Sequence, residues 1–276
     1  MLRIGWFSTG RGEGSQKLLR SAIEAIRDGH LGAEIAFVFC NRERGQFDAT
    51  DVFMDQIASY GAPLITLSDA RFRREHGGDV ARSGQPLPAW RTEYDAAVAE
   101  LVRPYDAAVG VLAGYMLITT PPLFASHPLL NLHPAAPGQP AGTWQQVTWE
   151  LIRQRVAHGG VRVHLATGEL DAGPIATYCT YPLRGPTIDL LWQGVEDRQV
   201  EEIQQAEGEA NPLFQEIRRR GSLREPPLMI ETLRAIAEGR LRIEPDGRIM
   251  AGATKVTGGY DLTPEIEGAL AKAAQA

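Results

Sequence analysis

Cysteine is scarce in this sequence, with two residues among 276. Cys40 and Cys179 form neither a disulfide pattern nor a metal-binding pattern, and each fits a small buried hydrophobe better than a reactive thiol. No apolar run reaches the roughly 18 residues needed to span a membrane. The N-terminal residues also lack the features of a signal peptide. We therefore expect a cytoplasmic protein with no membrane partner.

Positive charge is also in short supply, since 28 Lys and Arg face 34 Asp and Glu for a net charge of -6. This balance argues against a nucleic-acid partner, whose phosphates favour a basic face. No His-Glu-x-x-His or comparable ligand spacing is present, so we expect no bound metal. No serine, cysteine or lysine has the context of an activated nucleophile. These absences favour direct transfer between two bound small molecules over a covalent enzyme intermediate.

What the sequence does contain is an alternation of strand and helix patterns. The periodicity predicts strands over 2–8, 33–40, 63–67, 106–112, 128–133, 161–167 and 174–182. It predicts helices over 15–28, 49–60, 91–103, 121–126, 143–156 and 227–239. Such an order is typical of an α/β fold with a doubly wound, mostly parallel sheet, whose ligands bind beyond the carboxyl ends of the strands.

Four other segments have their own composition. The glycines and prolines of 72–90 predict a surface loop, and 187–219 is polar and helix-prone. Residues 241–250 predict a hairpin with Pro245-Asp246-Gly247 as its turn. The alanine-rich end over 265–276 predicts a short helix or a frayed tail. The second half is therefore expected to add a helical extension to the sheet.

The most informative motif is Asn131-Leu132-His133-Pro134, at the end of a predicted buried strand. Residues i and i+2 of a strand face the same side, so Asn131 and His133 point together. Asp171 lies on a predicted turn between Gly168 and Gly173 and could complete a set that holds an oxyanion and moves a proton. The alternative is a polar strand end capped by water. The neighbouring His164 is expected to be a satisfied strand histidine.

A second motif is the glycine loop Gly10-Arg11-Gly12-Glu13-Gly14 between the first strand and the first helix. Glycines let backbone N–H groups approach a phosphate, and the helix dipole adds to the attraction. A tight first turn in any doubly wound sheet explains the same residues. The pattern is neither Gly-x-Gly-x-x-Gly nor a Walker motif. It therefore gives no support to a nicotinamide-dependent oxidoreductase, which also needs an acidic residue where the second strand ends at Cys40-Asn41-Arg42.

These motifs resemble those of the folate-dependent formyltransferases, in the order of that family and over most of the chain. The matching stretches are STGRGEGSQKLL (8–19), VFCNR (38–42), WRTEYD (90–95), VLAGYM (111–116), LLNLHP (129–134), VHLATGELDAGPI (163–175), IQQAE (203–207) and ETLRAIAEGRLRI (231–243). The resemblance implies a Rossmann-like formyltransferase domain over 1–260. Its phosphate-binding half would be 1–105, its folate-binding and catalytic half 106–260, and its tail 261–276.

The resemblance also implies the role of each site residue. Asn131, His133 and Asp171 match the catalytic trio, in which His133 and Asp171 move a proton from the attacking amine, through water. The residues that match the folate-binding wall are Leu112, Tyr115, Met116, Leu117, Ile118 and Ala166, with Arg91 lining the same cleft. The residues that match the site of the ribosyl phosphate substrate are Gly10, Arg11, Gly12, Glu13, Gly14, Gln204 and Glu207. By spacing alone, Gln204 and Glu207 would be an exposed polar helix face.

The expected reaction moves a formyl group from the co-substrate 10-formyltetrahydrofolate to the amine of 5'-phosphoribosylglycinamide, in purine synthesis. The chain departs from the family pattern at Trp144, Arg162 and Gly168, and 73–90 and 183–200 resemble insertions. The amine therefore stays open, with an amino sugar or a hydroxylated amino acid as alternatives. A tRNA-modifying relative would bring a basic loop after the motif, and the folate deformylase an N-terminal regulatory domain. A homodimer and a non-catalytic binding module also stay open, although such a module needs no intact trio.

Overall fold

The computed structural model of the protein describes residues 1–80 and 85–273. Part of the loop predicted over 72–90 (residues 81–84) and the end of the predicted tail (274–276) lie outside the described residues. The strands of the described residues are β1 (Leu2–Ser8), β2 (Ala33–Cys40), β3 (Leu64–Thr66), β4 (Val109–Leu112), β5 (Leu129–His133), β6 (His158–Leu165), β7 (Ile175–Pro182), β8 (Leu241–Ile243), β9 (Ile249–Ala251), β10 (Thr254–Lys255) and β11 (Tyr260–Asp261).

The strands form a large sheet in the order β11-β7-β6-β5-β4-β1-β2-β3 and a small sheet in the order β10-β9-β8. In the large sheet β1 pairs in parallel with β2 and β4, β2 with β3, and β4 with β5. The β6–β7 pair is antiparallel, and β11 is parallel to β7. The prediction of a mostly parallel sheet is therefore confirmed, as is the hairpin of β8 and β9.

Helices flank the sheet, as the alternating pattern predicts. They are α1 (Glu13–Arg27), α2 (Asp48–Tyr60), α3 (Asp69–Glu75), α4 (Trp90–Val102), α5 (Pro121–Phe124), α6 (Trp144–Arg153), α7 (Pro186–Gln193), α8 (Val200–Glu207), α9 (Pro212–Ala237) and α10 (Thr263–Ala273). The predicted helical C-terminal region is confirmed. Its last helix is anchored by Ile266, which is fully buried.

The chain divides into two compact units. The first comprises Met1–Asn131, Leu165–Gly173 and Leu233–Gly247, and the second comprises Leu132–His164, Pro174–Thr232 and Arg248–Ala276. The single catalytic domain expected over 1–260, with its two halves, stays a prediction.

The core of the first unit is aromatic. Phe7 of β1 meets Phe37 of β2 edge-to-face, with 5.4 Å between the ring centroids. The Phe37 ring also fills the space over Gly5, where a Cβ would lie 2.5 Å from Cζ. The two parallel strands thus approach closely because glycine makes room for the ring. Offset and edge-on ring pairs of this kind add about 0.5–1.5 kcal/mol beyond their burial.

The core of the second unit is built around Trp149, Trp192 and Phe214. The rings of Trp149 (α6) and Phe214 (α9) lie 4.8 Å apart. The buried indole N–H of Trp192 donates to the Leu183 carbonyl at 2.6 Å, so this polar atom is satisfied inside the core. α6 begins with a capping box between Thr143 and Gln146, which fixes where the loop after β5 ends and the helix starts.

Two sequence-based predictions are wrong in detail. The loop predicted over 72–90 begins later, because Ser68 caps α3 by accepting from the Arg71 N–H and the helix runs to Glu75. The helix predicted over 227–239 is the second part of α9, which continues through Pro226 and Pro227. Burial of the apolar side chains that follow the prolines offsets their cost.

No helix in residues 1–80 and 85–273 is long and apolar enough to cross a membrane. Both cysteines are buried, as predicted. Burial raises the pKa of the Cys40 thiol to about 11 and that of the Cys179 thiol to about 12. Both thiols are therefore neutral near pH 7 and are poor nucleophiles.

Candidate active site

Strand β5 carries Asn131 and His133 at its C-terminal end. The strand is held in place by Leu129 and Leu130, which are at most 1% exposed. Asn131 pairs in register with Leu112 of β4 and is half-buried. His133 is 3% exposed. The two polar side chains thus lie two residues apart on one strand, at the carboxyl end of the sheet, where ligands of parallel sheets bind.

The His133 ring has a defined hydrogen-bond partner on one side. Its Nε2 lies 3.0 Å from the carbonyl oxygen of Pro140, in the loop that follows the strand. A carbonyl can only accept, so Nε2 carries the proton and donates it. In the neutral ring the basic lone pair is then on Nδ1. The ring of His164, on β6, lies 6.3 Å away at 73°.

Asp171 lies on the loop between β6 and β7, which starts next to β5 because the Ala166 N–H donates to the Leu129 carbonyl at 2.8 Å. Asp171 itself has a positive φ of 56°. This left-handed conformation is strained for most residues, although aspartate tolerates it better than others. Strain of this kind is concentrated at functional sites.

Gly173 fixes the shape of the same loop. A Cβ at this position would lie 1.8 Å from the Leu165 carbonyl oxygen, so only glycine allows the loop to close. Gly168, in contrast, would meet nothing within 4 Å among the described residues. The glycine two residues after Asp171 is therefore required by packing, and the one three residues before it is not.

The glycine loop leads from β1 into α1. Gly10 has a φ of +65°, and a Cβ there would lie 2.6 Å from the Phe53 ring. Residues 11–14 are exposed, and α1 begins at Glu13. The first N–H groups of a helix have no partner within the helix, and they attract anions. The loop thus presents an exposed helix N-terminus. Its first residue, Gly10, packs so closely on the Phe53 ring that no other residue type fits there.

The glycine loop is joined to the segment after β4. Thr9 accepts through Oγ1 from the Met116 N–H at 3.0 Å and donates its own N–H to the Gly114 carbonyl at 3.2 Å. The glycine loop, predicted to bind the ribosyl phosphate, and the segment after β4, predicted to bind the folate, are therefore in contact in the first unit.

The side chains that match the folate-binding wall divide into two kinds. Leu112 and Tyr115 are buried and anchor the segment. Met116 and Ile118 are 61% and 41% exposed, which is unusual for such large apolar side chains. Leu117 and Ala166 are half-buried. The exposed pair provides apolar surface that a flat ring could cover.

Arg91 supports this wall from behind. The side chain is 1% exposed, and its Nη2 donates to the Ile118 carbonyl at 2.7 Å. Asp95, four residues later, faces Arg91 at 3.4 Å and accepts from the Thr120 N–H at 2.6 Å. Burial raises the pKa of Asp95, while Arg91 and Thr120 oppose that shift. The structure therefore shows Arg91 holding the backbone of the wall, and its predicted place in the cleft stays a prediction.

Gln204 and Glu207 lie on α8 in the second unit. Gln204 is exposed and lines a cavity of about 380 Å³ together with Pro140 and Trp149. Glu207 accepts from Asn211 at 2.8 Å and pairs with Arg198 at 2.5 Å. These contacts, with Asn211 first, lower the pKa of Glu207. Glu207 is thus an ionised partner of Arg198.

Trp144 and Arg162, the departures from the family pattern, both pack in the second unit. The centroids of the Trp144 and Phe214 rings lie 5.9 Å apart. The Arg218 guanidinium lies 5.2 Å from the centroid of the Trp144 ring. Arg162 is 5% exposed and donates to the carbonyls of Ala135 and Ala136. These contacts could not be predicted from residue spacing. The only signal in the sequence was that both residues depart from the family pattern.

Metal ligands are not grouped in the described ranges, 1–80 and 85–273, where no cluster of three or more His, Cys, Asp or Glu could hold an ion. The groups that the site offers for chemistry are an amide, an imidazole, a carboxylate and backbone N–H groups. Such groups suit proton transfer and stabilisation of an oxyanion.

Comparisons with known proteins agree with the motifs. A sequence model of the family described as "Formyl transferase" matches residues 9–183. The phosphoribosylglycinamide formyltransferase of Schizosaccharomyces pombe is 28% identical over 169 residues, which cover 58% of this chain and 74% of the relative. The resemblance to folate-dependent formyltransferases is therefore confirmed.

Solved structures share the fold. The structure of glycinamide ribonucleotide transformylase 1 from Symbiobacterium toebii is 25% identical with a TM-score of 0.62, covering 91% of this chain and 94% of that one. A formyltetrahydrofolate deformylase from Pseudomonas syringae is 20% identical with a TM-score of 0.60, covering 91% and 65%. The family model spans well over half of the sequence, and the chain accordingly belongs to the formyl transferase family of formyl-transferring enzymes.

Proposed function

We propose that this enzyme transfers a formyl group from 10-formyltetrahydrofolate to the amine of 5'-phosphoribosylglycinamide. The observation that carries the proposal is the end of β5, where Asn131 stands two residues before a His133 whose Nε2 proton is held by Pro140. The names of the relative from Schizosaccharomyces pombe and of the structure from Symbiobacterium toebii support the choice of amine.

In the proposed reaction the neutral amine attacks the formyl carbon, a new C–N bond forms, and the bond from that carbon to N10 of the folate breaks. Negative charge develops on the formyl oxygen, and the side-chain amide of Asn131 donates to it. His133, with Asp171, takes a proton from the attacking nitrogen through water and returns it to N10. The products are the formamide and tetrahydrofolate, so no covalent enzyme intermediate is needed.

The glycine loop is the proposed site of the substrate phosphate. The N-terminus of α1 is exposed there, and two arginines increase the positive charge. Arg42 donates to Thr50 Oγ1 at 3.2 Å, and the Thr50 hydroxyl donates to the Thr9 carbonyl. Burial lowers the pKa of Arg42, and the nearby charge of Arg11 lowers it further. Two guanidinium groups that repel each other are stabilised by a bound dianion.

The folate would lie on the wall made by Leu112, Tyr115, Met116, Leu117, Ile118 and Ala166. The exposed Met116 and Ile118 are the side chains that a bound pterin would cover. We propose a cytoplasmic enzyme whose partners are these two small molecules. Gln204 and Glu207 would contact the glycinamide.

A second candidate is hydrolysis of the formyl-folate, because the deformylase from Pseudomonas syringae shares the fold. In that reaction water replaces the amine. The two candidates differ in a simple observable, since a transferase releases tetrahydrofolate only when an amine is present.

The test is an absorbance assay of 10-formyltetrahydrofolate with a panel of amines: glycinamide ribonucleotide, an amino sugar phosphate, a hydroxylated amino acid, and buffer alone. We expect turnover with glycinamide ribonucleotide and a formylated product by mass spectrometry. Turnover in buffer alone, with free formate, would assign the deformylase reaction. Turnover only with another amine would keep formyl transfer and reject the substrate.

A further inference from the structure

β6 carries a buried arginine, Arg162, between Val161 and Val163, both fully buried. A guanidinium out of water is costly unless it finds acceptors. Its Nη1 donates to the Ala136 carbonyl at 2.9 Å and reaches the Ala135 carbonyl at 3.4 Å. Arg162 is therefore bonded to the backbone that follows His133 by two and three residues.

The segment 134–140, called the His133 loop below, has further ties to β6. The side chain of Gln139 accepts from the Ala136 N–H at 2.9 Å and donates to the His158 carbonyl at 2.7 Å. A Cβ on Gly160 would lie 2.6 Å from the Cβ of Ala136, so the loop packs directly on the strand. Arg162 and Gln139 thus hold the loop at neighbouring points of one strand.

The last residue of the His133 loop is Pro140, whose carbonyl accepts the Nε2 proton of His133. Where the loop lies therefore decides where this acceptor lies. The acceptor in turn decides which ring nitrogen carries the proton and how the ring is oriented. A chain of contacts runs from Arg162 through the loop backbone to the imidazole.

We propose that Arg162 is a positioning residue for formyl transfer: it holds the His133 loop so that Pro140 keeps His133 in the tautomer with Nε2 protonated and Nδ1 basic. The inference rests on the proposed function of His133. Arg162 is one of the positions at which the chain departs from the family pattern, and its side chain is long enough to reach both carbonyls.

The test combines kinetics with a measurement of the tautomer. Arg162→Met keeps a long side chain and removes the donors, and Arg224→Met is the control, because Arg224 is another buried arginine of the second unit, paired with Glu267. Nitrogen-15 chemical shifts of the histidine rings, assigned with His133→Gln, report the tautomer of His133. We expect the Nε2–H form in the unmodified enzyme and in R224M, and a mixture of tautomers in R162M.

The kinetic counterpart is a fall in kcat on the order of tenfold or more in R162M, because small errors in orientation are costly in catalysis. The KM for the folate should stay within about twofold, because Arg162 is not proposed to touch it. Arg162→Lys, which keeps one donor group, should recover part of both the tautomer and kcat. A general structural role would not produce this ordered recovery.

The proposal is overturned if folded R162M keeps both the Nε2–H form and the original kcat. If R162M does not fold, as judged by thermal denaturation, Gln139→Leu removes the other tie of the loop and should shift the tautomer in the same direction. An unchanged tautomer in Q139L would then count against the proposal. Failure of the proposed function is separate, because it would show as a fully active His133→Gln whatever the tautomer.

Discussion

Gly173→Ala is a sharp test of how the loop geometry supports catalysis. The added Cβ would lie 1.8 Å from the Leu165 carbonyl oxygen, a backbone atom that no side-chain rotation can move away. To restore ordinary contact the two segments must separate by roughly 1.5 Å. Overpacking of this kind costs about 1–3 kcal/mol, which corresponds to a fall of about 2–5 °C in Tm for a protein of this size.

The same displacement should reach Asp171, two residues earlier. Because a misplacement of about 1 Å can cost roughly a hundredfold in rate, we expect kcat for formyl transfer to fall by about that factor. Differential scanning fluorimetry measures the Tm, and the folate absorbance assay measures kcat. Gly168→Ala is the matched control in the same loop, since its Cβ meets nothing within 4 Å among the described residues. Equal Tm and equal kcat in G173A and G168A would refute the packing argument.

Three further predictions concern charged residues. Asp171→Asn and Asp171→Gly should both lose most of the turnover. Asp171→Gly should have a higher Tm than Asp171→Ala, because only glycine adopts a φ of 56° without strain; equal Tm values for D171G and D171A in thermal denaturation would contradict this. Arg91→Met should lower the free energy of unfolding, measured by urea titration, by about 3–5 kcal/mol, because it leaves the buried Asp95 carboxylate without its cation. The KM for folate should rise, because the Ile118 carbonyl loses its donor; a variant of wild-type stability would reject this role. Hydrogen bonds from Arg219 lower the pKa of Glu216 from 4.5 to about 2. The stability that the ionised Glu216 contributes is therefore complete above pH 4.5 and is lost as pH falls towards 2. Glu216→Gln should make the Tm depend less on pH in that window, and an unchanged slope would show that the pairing is not made in solution.

Much of the sheet could be predicted from the sequence, because its strands are continuous apolar runs between turn residues. β1 and β2 match their predicted bounds, 2–8 and 33–40. Such runs are typical of strands that are buried on both faces in parallel sheets. Four helices of the first half, α1, α2, α4 and α5, could also be predicted to within a few residues. α3 could not, because none of its residues is buried and its sequence gives no apolar face.

The course of α9 could not be predicted, because two consecutive prolines normally end a helix. The helix continues because Leu228, Met229 and Leu233 after the prolines are fully buried. Tertiary burial, which local sequence does not report, thus outweighs the lost backbone hydrogen bonds.

In the site, the residue types of β5 and of the Asp171 loop could be read from spacing, but their supporting contacts could not. The partner of His133 is the backbone carbonyl of a residue seven positions later, and because every residue carries such a carbonyl, the sequence does not indicate which one accepts. Arg91 is another example, since its bond to the Ile118 carbonyl depends on how the segment after β4 folds back onto α4.

The most direct test of the account is single-turnover formyl transfer to glycinamide ribonucleotide by His133→Ala, compared with the exposed-histidine control His30→Ala. Loss of the proton carrier should lower the rate of transfer by about 10²–10⁴-fold, while folate binding, followed by tryptophan fluorescence, and the Tm stay close to those of the control. A transfer rate for H133A within tenfold of that of H30A would contradict the claim that the end of β5 is the catalytic centre.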